Sequence, residues 1–194
     1  MKKRILEVFA EHVQLVEEAK DRASLIVNAA EMVAQAFTLG RKLLIFGNGG
    51  SAADAQHIAA EFVNRFLIER PSLPAIALTT DTSILTSVGN DYGSRRIFSK
   101  QIKALGQEGD VALAISTSGN SPNVLEALDV ARERQLKTII MTGAGGGKAV
   151  KLADLWLEVN SKTPPRTQEI HILWGHLICE LVDFILFKRP GENG

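Results

Sequence analysis

The sequence predicts an α/β fold in which a five-stranded parallel sheet lies between layers of helices. Five short apolar runs are bounded by glycine or polar residues, as is typical of buried strands; they are centred on residues 42–46, 75–78, 111–115, 138–141 and 155–159. Segments with the helical spacing of apolar residues separate these runs, and no hairpin signal joins them. Strands that alternate with helices in this way favour a parallel sheet covered on both faces.

Residues 1–40 predict two amphipathic helices before the first strand. Apolar residues recur at near-helical spacing from Ile5 to Val16 and again from Leu25 to Phe37, and Gly40 is a predicted helix stop. Two long helices before the first strand are more than one sheet needs to cover its faces. We therefore expect residues 1–40 to form an oligomerisation segment that packs partly against another subunit.

The rest of the chain predicts an α/β core over residues 41–188, so that residues 1–194 form a single domain, an ordinary length for one. The core helices are predicted over residues 51–66, 82–89, 95–105, 122–134 and 166–187. The tail from Arg189 is expected to be frayed.

Composition excludes several functional classes. Hydrophobic residues make up 45% of the chain, enough for a buried core. Lys+Arg and Asp+Glu are balanced at 22 each, so no basic excess points to nucleic acid or to a membrane surface. We expect no apolar run near the ~20 residues that span a bilayer, and no signal peptide, hence a cytoplasmic protein. The single cysteine, Cys179, excludes an intrachain disulfide and is predicted to be buried.

Two distant segments carry side chains that can bind metal or transfer protons. His57 and Glu61 are four residues apart and share one face of a predicted helix. Gln168 and His176 are eight residues apart, roughly 80° around a second helix. If these helices meet, two imidazoles, a carboxylate and an amide oxygen converge. Such a group can hold a divalent metal, move protons, or do both.

Two polar loops follow predicted strands, where ligands bind in parallel sheets. Residues 47–51 (Gly-Asn-Gly-Gly-Ser) follow the first strand, and they form either a ligand loop or a tight turn with Ser51 as the helix N-cap. Residues 116–121 (Ser-Thr-Ser-Gly-Asn-Ser) follow the third strand, and four hydroxyls exceed the need of one cap, which favours a phosphate cradle. A third loop, residues 143–147, is interpreted as a flexible turn.

Other polar residues leave alternatives open. Arg65 lies four residues beyond Glu61 and either pairs with that carboxylate or contacts an anionic ligand. Asn90 and Asp91 follow a short predicted helix as a cap or turn. Of the remaining histidines, His12 is expected to be solvated and His171 to serve packing or an interface.

Taken together, these segments resemble the sugar isomerase (SIS) domain and, within it, the phosphoheptose isomerase family. The resemblance runs over nearly the whole chain and is sharpest in both polar loops, in His57-x-x-x-Glu61, in Val88-Gly-Asn-Asp91 and in Gln168-Glu-Ile-His171. It implies a flavodoxin-like fold and an aldose–ketose isomerase that acts on a sugar phosphate, sedoheptulose 7-phosphate. It also implies a homotetramer with active sites between subunits, which gives the N-terminal helices a role.

The resemblance assigns roles to individual residues. It implies a zinc ion held by His57, Glu61, Gln168 and His176. We expect Glu61 and His176 to be the catalytic base and acid. Together with the loops, the resemblance places substrate contacts at thirteen positions: Asn48, Gly49, Gly50, Ser51, Glu61, Arg65, Asn90, Asp91, Ser116, Thr117, Ser118, Ser121 and Gln168.

Two alternatives come from related proteins. A close relative is a regulator of replication initiation that binds the initiator DnaA, and residues 69–78 resemble that regulator. This chain nonetheless keeps His57, Glu61 and His176, which a scaffold does not need. It differs from some isomerases at Pro165 and Thr167, which puts the finer substrate geometry in question. The other alternative is a module that senses a sugar phosphate without catalysis.

Overall fold

The computed structural model describes residues 1–187; residues 188–194, which include the tail predicted to be frayed, lie outside the described residues. Five parallel strands form one sheet in the order β2-β1-β3-β4-β5, which confirms the predicted fold class. The strands are β1 (Leu43–Gly47), β2 (Ala75–Ala77), β3 (Val111–Ser116), β4 (Lys137–Thr142) and β5 (Leu155–Glu158). The helices are α1 (Lys2–Ala19), α2 (Ala23–Thr38), α3 (Gly50–Val63), α4 (Thr82–Tyr92), α5 (Ile97–Leu105), α6 (Pro122–Glu133) and α7 (Pro164–Phe187), with 3₁₀ turns at Lys20–Arg22, Ser94–Arg96 and Ala149–Leu152.

The sheet separates two hydrophobic cores. Side chains alternate across a strand, so Leu43 and Ile45 of β1 pack with α2, α3 and α7. Leu44 and Phe46 face the opposite way and pack with α5 and α6. The central strands β1 and β3 are wholly buried, which explains why they are continuous apolar runs in the sequence. The outer strands β2 and β5 expose Ile76 and Trp156.

The strand order places a topological switch point between β1 and β3. The chain passes from β1 to β2 on one side of β1 and then returns to β3 on the other side. In sheets of this order, ligands bind beyond the carboxyl ends of the strands at this point. The loops at residues 48–50 and 117–121 begin there, and they are the two polar loops that the sequence singles out.

Helix α7 is a core helix, although by length and composition alone it could cross a membrane. This differs from the expectation that no apolar stretch approaches that length. In the structure α7 packs against α2 and α3, and it buries the polar residues His171 and Asp183 among its apolar ones. Its apolar composition is explained by its contacts with protein on several sides. Cys179 is buried on this helix, as predicted.

Two helix boundaries differ from the sequence prediction. Helix α3 ends at Val63 rather than near residue 66, because the Arg70 guanidinium donates hydrogen bonds to the carbonyls of Glu61 and Phe62, at 2.9 and 2.7 Å. Helix α4 extends to Tyr92, and its N-terminus is capped by the Asp81 carboxylate, which accepts from the Ile84 amide at 2.9 Å.

The two histidines outside the predicted site have defined environments. The His12 side chain is 37% exposed, and its Nδ1 also lies 2.8 Å from Glu169 Oε2, a contact that joins α1 to α7. His171 is fully buried, as expected of a packing residue, and its Nε2 lies 3.1 Å from the Thr142 carbonyl oxygen. Burial lowers the pKa of His171 to about 4, against a small opposing effect of that hydrogen bond.

The buried imidazole predicts a loss of stability in acid. Because the folded-state pKa of His171 lies below its ordinary value of 6.5, the unfolded chain binds this proton first as the pH falls. The neutral imidazole therefore contributes about 3 kcal/mol to the free energy of unfolding above pH 6.5, and this contribution is lost as the pH falls toward about 4. His171→Gln keeps an N–H donor but does not titrate. Between pH 7 and pH 4 we expect its free energy of unfolding to fall by about 3 kcal/mol less than that of the unaltered protein. Urea unfolding at the two pH values measures this. Equal losses in the two proteins would refute this account.

Candidate active site

The two helices that carry the predicted half-sites lie in close contact. Gly175 on α7 faces Ile58 on α3, and a Cβ atom added to this glycine would lie 2.6 Å from Ile58 Cδ1. The missing side chain therefore allows the helices to approach. Because Ile58 and Gly175 adjoin His57 and His176 in sequence, the same contact brings the two imidazoles together.

His57, Glu61 and His176 form one compact group. His57 Nε2 lies 3.1 Å from Glu61 Oε1 and 3.3 Å from His176 Nε2. The candidate ligand atoms of the three residues all lie within 4.8 Å of one another. His176 also stacks on Phe66, with 5.4 Å between ring centroids, which fixes the plane of its imidazole. The structure thus brings together residues that are 119 positions apart in the chain.

The donor set and its spacing fit a divalent metal ion. A tetrahedral zinc with nitrogen ligands at ~2.0–2.1 Å separates those nitrogens by about 3.4 Å, close to the 3.3 Å between the two Nε2 atoms. Two imidazoles and a carboxylate are ordinary ligands of zinc and of similar divalent ions. Without an ion, two facing Nε2 atoms form a hydrogen bond only if one is protonated and the other is not.

The surroundings of His176 favour its neutral form. Burial is the largest cause that lowers the pKa of His176, and the charge of His57 lowers it further, whereas Glu61 opposes both. A neutral imidazole is the form that binds a metal. The low pKa therefore reduces competition from protons.

Asp54 is a titratable residue beside this group that the sequence analysis missed. Burial raises the pKa of its carboxyl to about 6, although the charge of His57 opposes the change. Its Oδ2 atom is buried and has no hydrogen-bond partner among the described residues. The sequence held a signal, since Asp54 precedes His57 by three residues and shares its helix face.

Gln168 lies against the loop that follows β1. A Cβ atom added to Gly50 would lie 2.5 Å from Gln168 Nε2, so the glycine leaves room for the amide. The contact brings the first turn of α3 to Gln168, one of the side chains that the sequence singles out. Ser51 is buried in that first turn, and the N-cap position is Gly49, so the alternative of Ser51 as N-cap is excluded.

Side-chain hydrogen bonds hold the two switch-point loops together. The amides of Asn48 and Asn123 bond reciprocally, each Nδ2 donating to the other Oδ1 at 2.9 and 2.8 Å. Within the second loop, Ser116 Oγ lies 3.3 Å from Ser121 Oγ. Asn123 was not singled out from the sequence, because a single amide next to a proline has no distinctive pattern.

The glycine loop at residues 143–147 packs on the Ser/Thr loop, which corrects its interpretation as an independent flexible turn. The Lys148 amide donates to Asn120 Oδ1 at 3.1 Å. A Cβ atom added to Gly119 would lie 2.0 Å from the Gly146 carbonyl oxygen. The two backbones therefore meet with no space for side chains.

This contact predicts that Gly119→Ala destabilises the protein by about 2–5 kcal/mol, from backbone overlap together with a positive φ of 59°. Gly145→Ala is the matched control, since Gly145 has a positive φ of 86° but no atom within 4 Å of an added Cβ. We expect the control to lose only about 1–2 kcal/mol. Denaturant unfolding of both variants measures the difference, and equal losses would rule out the packed loop pair.

Comparisons with known proteins identify the family. Residues 8–143 match the SIS domain family. A phosphoheptose isomerase of Nitratidesulfovibrio vulgaris (strain DSM 19637 / Miyazaki F) is 54% identical over 186 residues, which are 95% of this chain and 89% of that protein. This chain belongs to the phosphoheptose isomerase family.

Solved structures agree with this assignment. The phosphoheptose isomerase from Neisseria gonorrhoeae is 46% identical with a TM-score of 0.89, and the match covers 94% of this chain and 98% of that chain. The phosphoheptose isomerase from Francisella tularensis is 39% identical with a TM-score of 0.90, over 93% of this chain and 97% of that chain. The predicted SIS resemblance is confirmed, and relatives named as isomerases favour an enzyme over a DnaA-binding regulator or a sensing module.

Three residues expected to contact a family substrate lie outside the hydrogen-bonded groups described above. Arg65 lies beyond the end of α3 and approaches Glu69, with its Nε atom 3.5 Å from the carboxylate, rather than pairing with Glu61. Asn90 and Asp91 lie in the last turn of α4, where they are exposed and bond to each other at 2.8 Å. Their roles stay predictions.

Proposed function

We propose that the protein is an aldose–ketose isomerase that converts sedoheptulose 7-phosphate to D-glycero-D-manno-heptose 7-phosphate, the first step toward the heptose of lipopolysaccharide or other surface polysaccharides. The observation that supports this most is the group of His57, Glu61 and His176, which two helices of a phosphoheptose isomerase family member hold within 4.8 Å of one another. The group contains both proton-transfer residues and metal ligands.

The reaction moves a proton between C1 and C2 of the sugar through an enediolate, which requires a base at carbon and an acid at oxygen. We assign the base to Glu61. Its Oε1 lies beside His57, so the proton transfer belongs to the other carboxylate oxygen. We assign the acid to His176. Its Nε2 faces His57 Nε2 and would bind a metal ion there, so the proton exchanged with the substrate oxygens is the one on Nδ1. The stacking of His176 on Phe66 keeps the ring oriented for this transfer.

The same residues fit a metal ion, and zinc suits the donor set best. His57, Glu61 and His176 would hold it, with Gln168 as a fourth and weaker ligand. A divalent ion held there would supply positive charge that polarises the substrate oxygens. In this proposal His57 acts only as a metal ligand.

The phosphate is assigned to the Ser/Thr loop of residues 116–121. This loop lies at the switch point and leads into α6, which begins at Pro122. Hydroxyls and amides there can donate to phosphate oxygens, which holds C1 and C2 in place for Glu61. The loop of residues 48–51, with Gln168, would contact the sugar.

Exposed apolar residues on α1 support assembly into a homotetramer. Ile5, Leu6, Phe9 and Val13 are between 56% and 64% exposed. A stripe of this kind on a monomer is unusual and marks an interaction surface. We place the enzyme in the cytoplasm, with a sugar phosphate as its substrate.

The test is incubation of the purified protein with sedoheptulose 7-phosphate and detection of the aldose by NMR, with and without a chelator and added zinc. We expect the aldose to form, to stop forming after chelation and to return with zinc. If the zinc-loaded protein forms no aldose, the proposal is wrong. Binding of the sugar phosphate without turnover would then favour a sensing module.

A further inference from the structure

A buried guanidinium joins the two helices that supply the site. The Arg70 side chain is 1% exposed, and its Nε donates to Asp183 Oδ1 on α7 at 2.7 Å. Its Nη2 donates to the Glu61 carbonyl at 2.9 Å, and its Nη1 donates to the Phe62 carbonyl at 2.7 Å. The fork of Arg70 therefore bonds the last turn of α3 and a side chain of α7 at once.

The two bonded positions lie on the same two helices as the site. Asp183 follows His176 by seven residues, so it lies two turns further along nearly the same face of α7. On α3, the bonded carbonyl belongs to Glu61 itself. A shift of Arg70 would change the position of the Glu61 backbone relative to the His176 helix.

Packing alone does not explain a charged pair at this depth. The side chains of Arg70 and Asp183 are 1% and 5% exposed, and an apolar pair of similar volume is often at least as stable. The guanidinium differs from an apolar side chain in the direction of its donors, which form a planar, rigid fork. Direction matters here because a misplacement of 1 Å at a reacting centre can cost about 10²-fold in rate.

We propose that Arg70 and Asp183 are positioning residues that fix the His57–Glu61 half-site on α3 against His176 on α7. The expected effect on metal binding rests on the proposed function, whereas the expected effect on the distance between the two helices does not. The pair acts through the helices and touches neither the metal ligand atoms nor the substrate.

Lys42 and Asp110 provide a matched control. This second buried ion pair joins Lys42 Nζ to Asp110 Oδ2 at 2.7 Å, and the Asp110 side chain is 0% exposed. It lies at the amino-terminal ends of β1 and β3, the opposite edge of the sheet from the site. Loss of the Asp110 carboxylate removes the partner of Lys42, whose side chain is 19% exposed, and does so away from α3 and α7.

The experiment is a titration with Co²⁺, followed by its visible absorption, of the unaltered protein and four variants: Asp183→Asn, Arg70→Lys, Asp110→Asn and Lys42→Arg. We expect Asp183→Asn and Arg70→Lys to weaken Co²⁺ binding by about 10- to 100-fold, as loss of outer partners does at metal sites. The two control variants should bind as the unaltered protein does. Arg70→Lys keeps the positive charge but loses the forked guanidinium. It therefore still tests the inference if Asp183→Asn fails to fold.

A second measurement needs neither metal nor substrate. In crystal structures, we expect the separation of His57 Nε2 and His176 Nε2 in Arg70→Lys to exceed that of the unaltered protein by about 1 Å, with no change in Lys42→Arg. If the separation is unchanged in Arg70→Lys, the inference is overturned. If the unaltered protein binds no Co²⁺ but Arg70→Lys still widens the separation, the metal assignment fails and the positioning role stands.

Discussion

Glu61→Gln is expected to lower kcat for sedoheptulose 7-phosphate by about 10²- to 10⁴-fold, the usual contribution of a positioned acid or base. Gln has nearly the same shape as Glu but cannot accept the proton. The fold should persist, because the Glu61 side chain is 25% exposed and its structural bond to Arg70 uses the backbone carbonyl. Single-turnover NMR measures the rate, and circular dichroism checks the fold.

The control for this variant is Glu69→Gln. Glu69 lies beyond the end of α3 with its side chain 89% exposed, beside Arg65. Surface ion pairs of this kind contribute little to stability, so we expect an unchanged kcat and an unchanged melting temperature. Full activity of Glu61→Gln would remove Glu61 from the role of base.

His176→Phe is expected to abolish turnover and to weaken metal binding together. Phe keeps the aromatic stacking on Phe66, which holds the ring 5.4 Å away, but removes both nitrogens. His57→Phe removes one nitrogen ligand without removing the proposed acid. At saturating zinc we therefore expect His57→Phe to recover more of its kcat than His176→Phe does.

The comparison of these two histidine variants separates ligand binding from proton transfer. If both variants recover equally in excess zinc, His176 is a ligand and the acid lies elsewhere. Asp54 would then be the first residue to test, because its carboxyl has a pKa raised to about 6 beside His57.

Much of the fold could be predicted because its strands and helices are locally encoded. Each strand is a short, largely apolar run, and its boundaries in the structure differ from the prediction by one residue. The pairing of His57 with Glu61 also followed from helix geometry alone. What no local pattern contains is the contact between α3 and α7, which depends on Gly175 facing Ile58.

The errors share a physical origin in tertiary contacts. Helix α3 ends early because Arg70, seven residues beyond Val63, occupies its last carbonyls. The ion-pair partner of His12 was missed because Glu169 lies on the other terminal helix. The loop at residues 143–147 is packed because a second loop of glycine and hydroxyl residues meets its backbone. In each case the partner lies on another part of the chain.

One measurement tests the central claim that His57, Glu61 and His176 form a single metal site with Gln168: anomalous diffraction at the zinc edge from crystals grown with zinc. We predict one peak per subunit, at about 2.0–2.2 Å from both Nε2 atoms and from a carboxylate oxygen of Glu61, with the Gln168 amide oxygen turned toward it. A peak elsewhere, or no peak in crystals of protein that turns over the substrate, would contradict the claim.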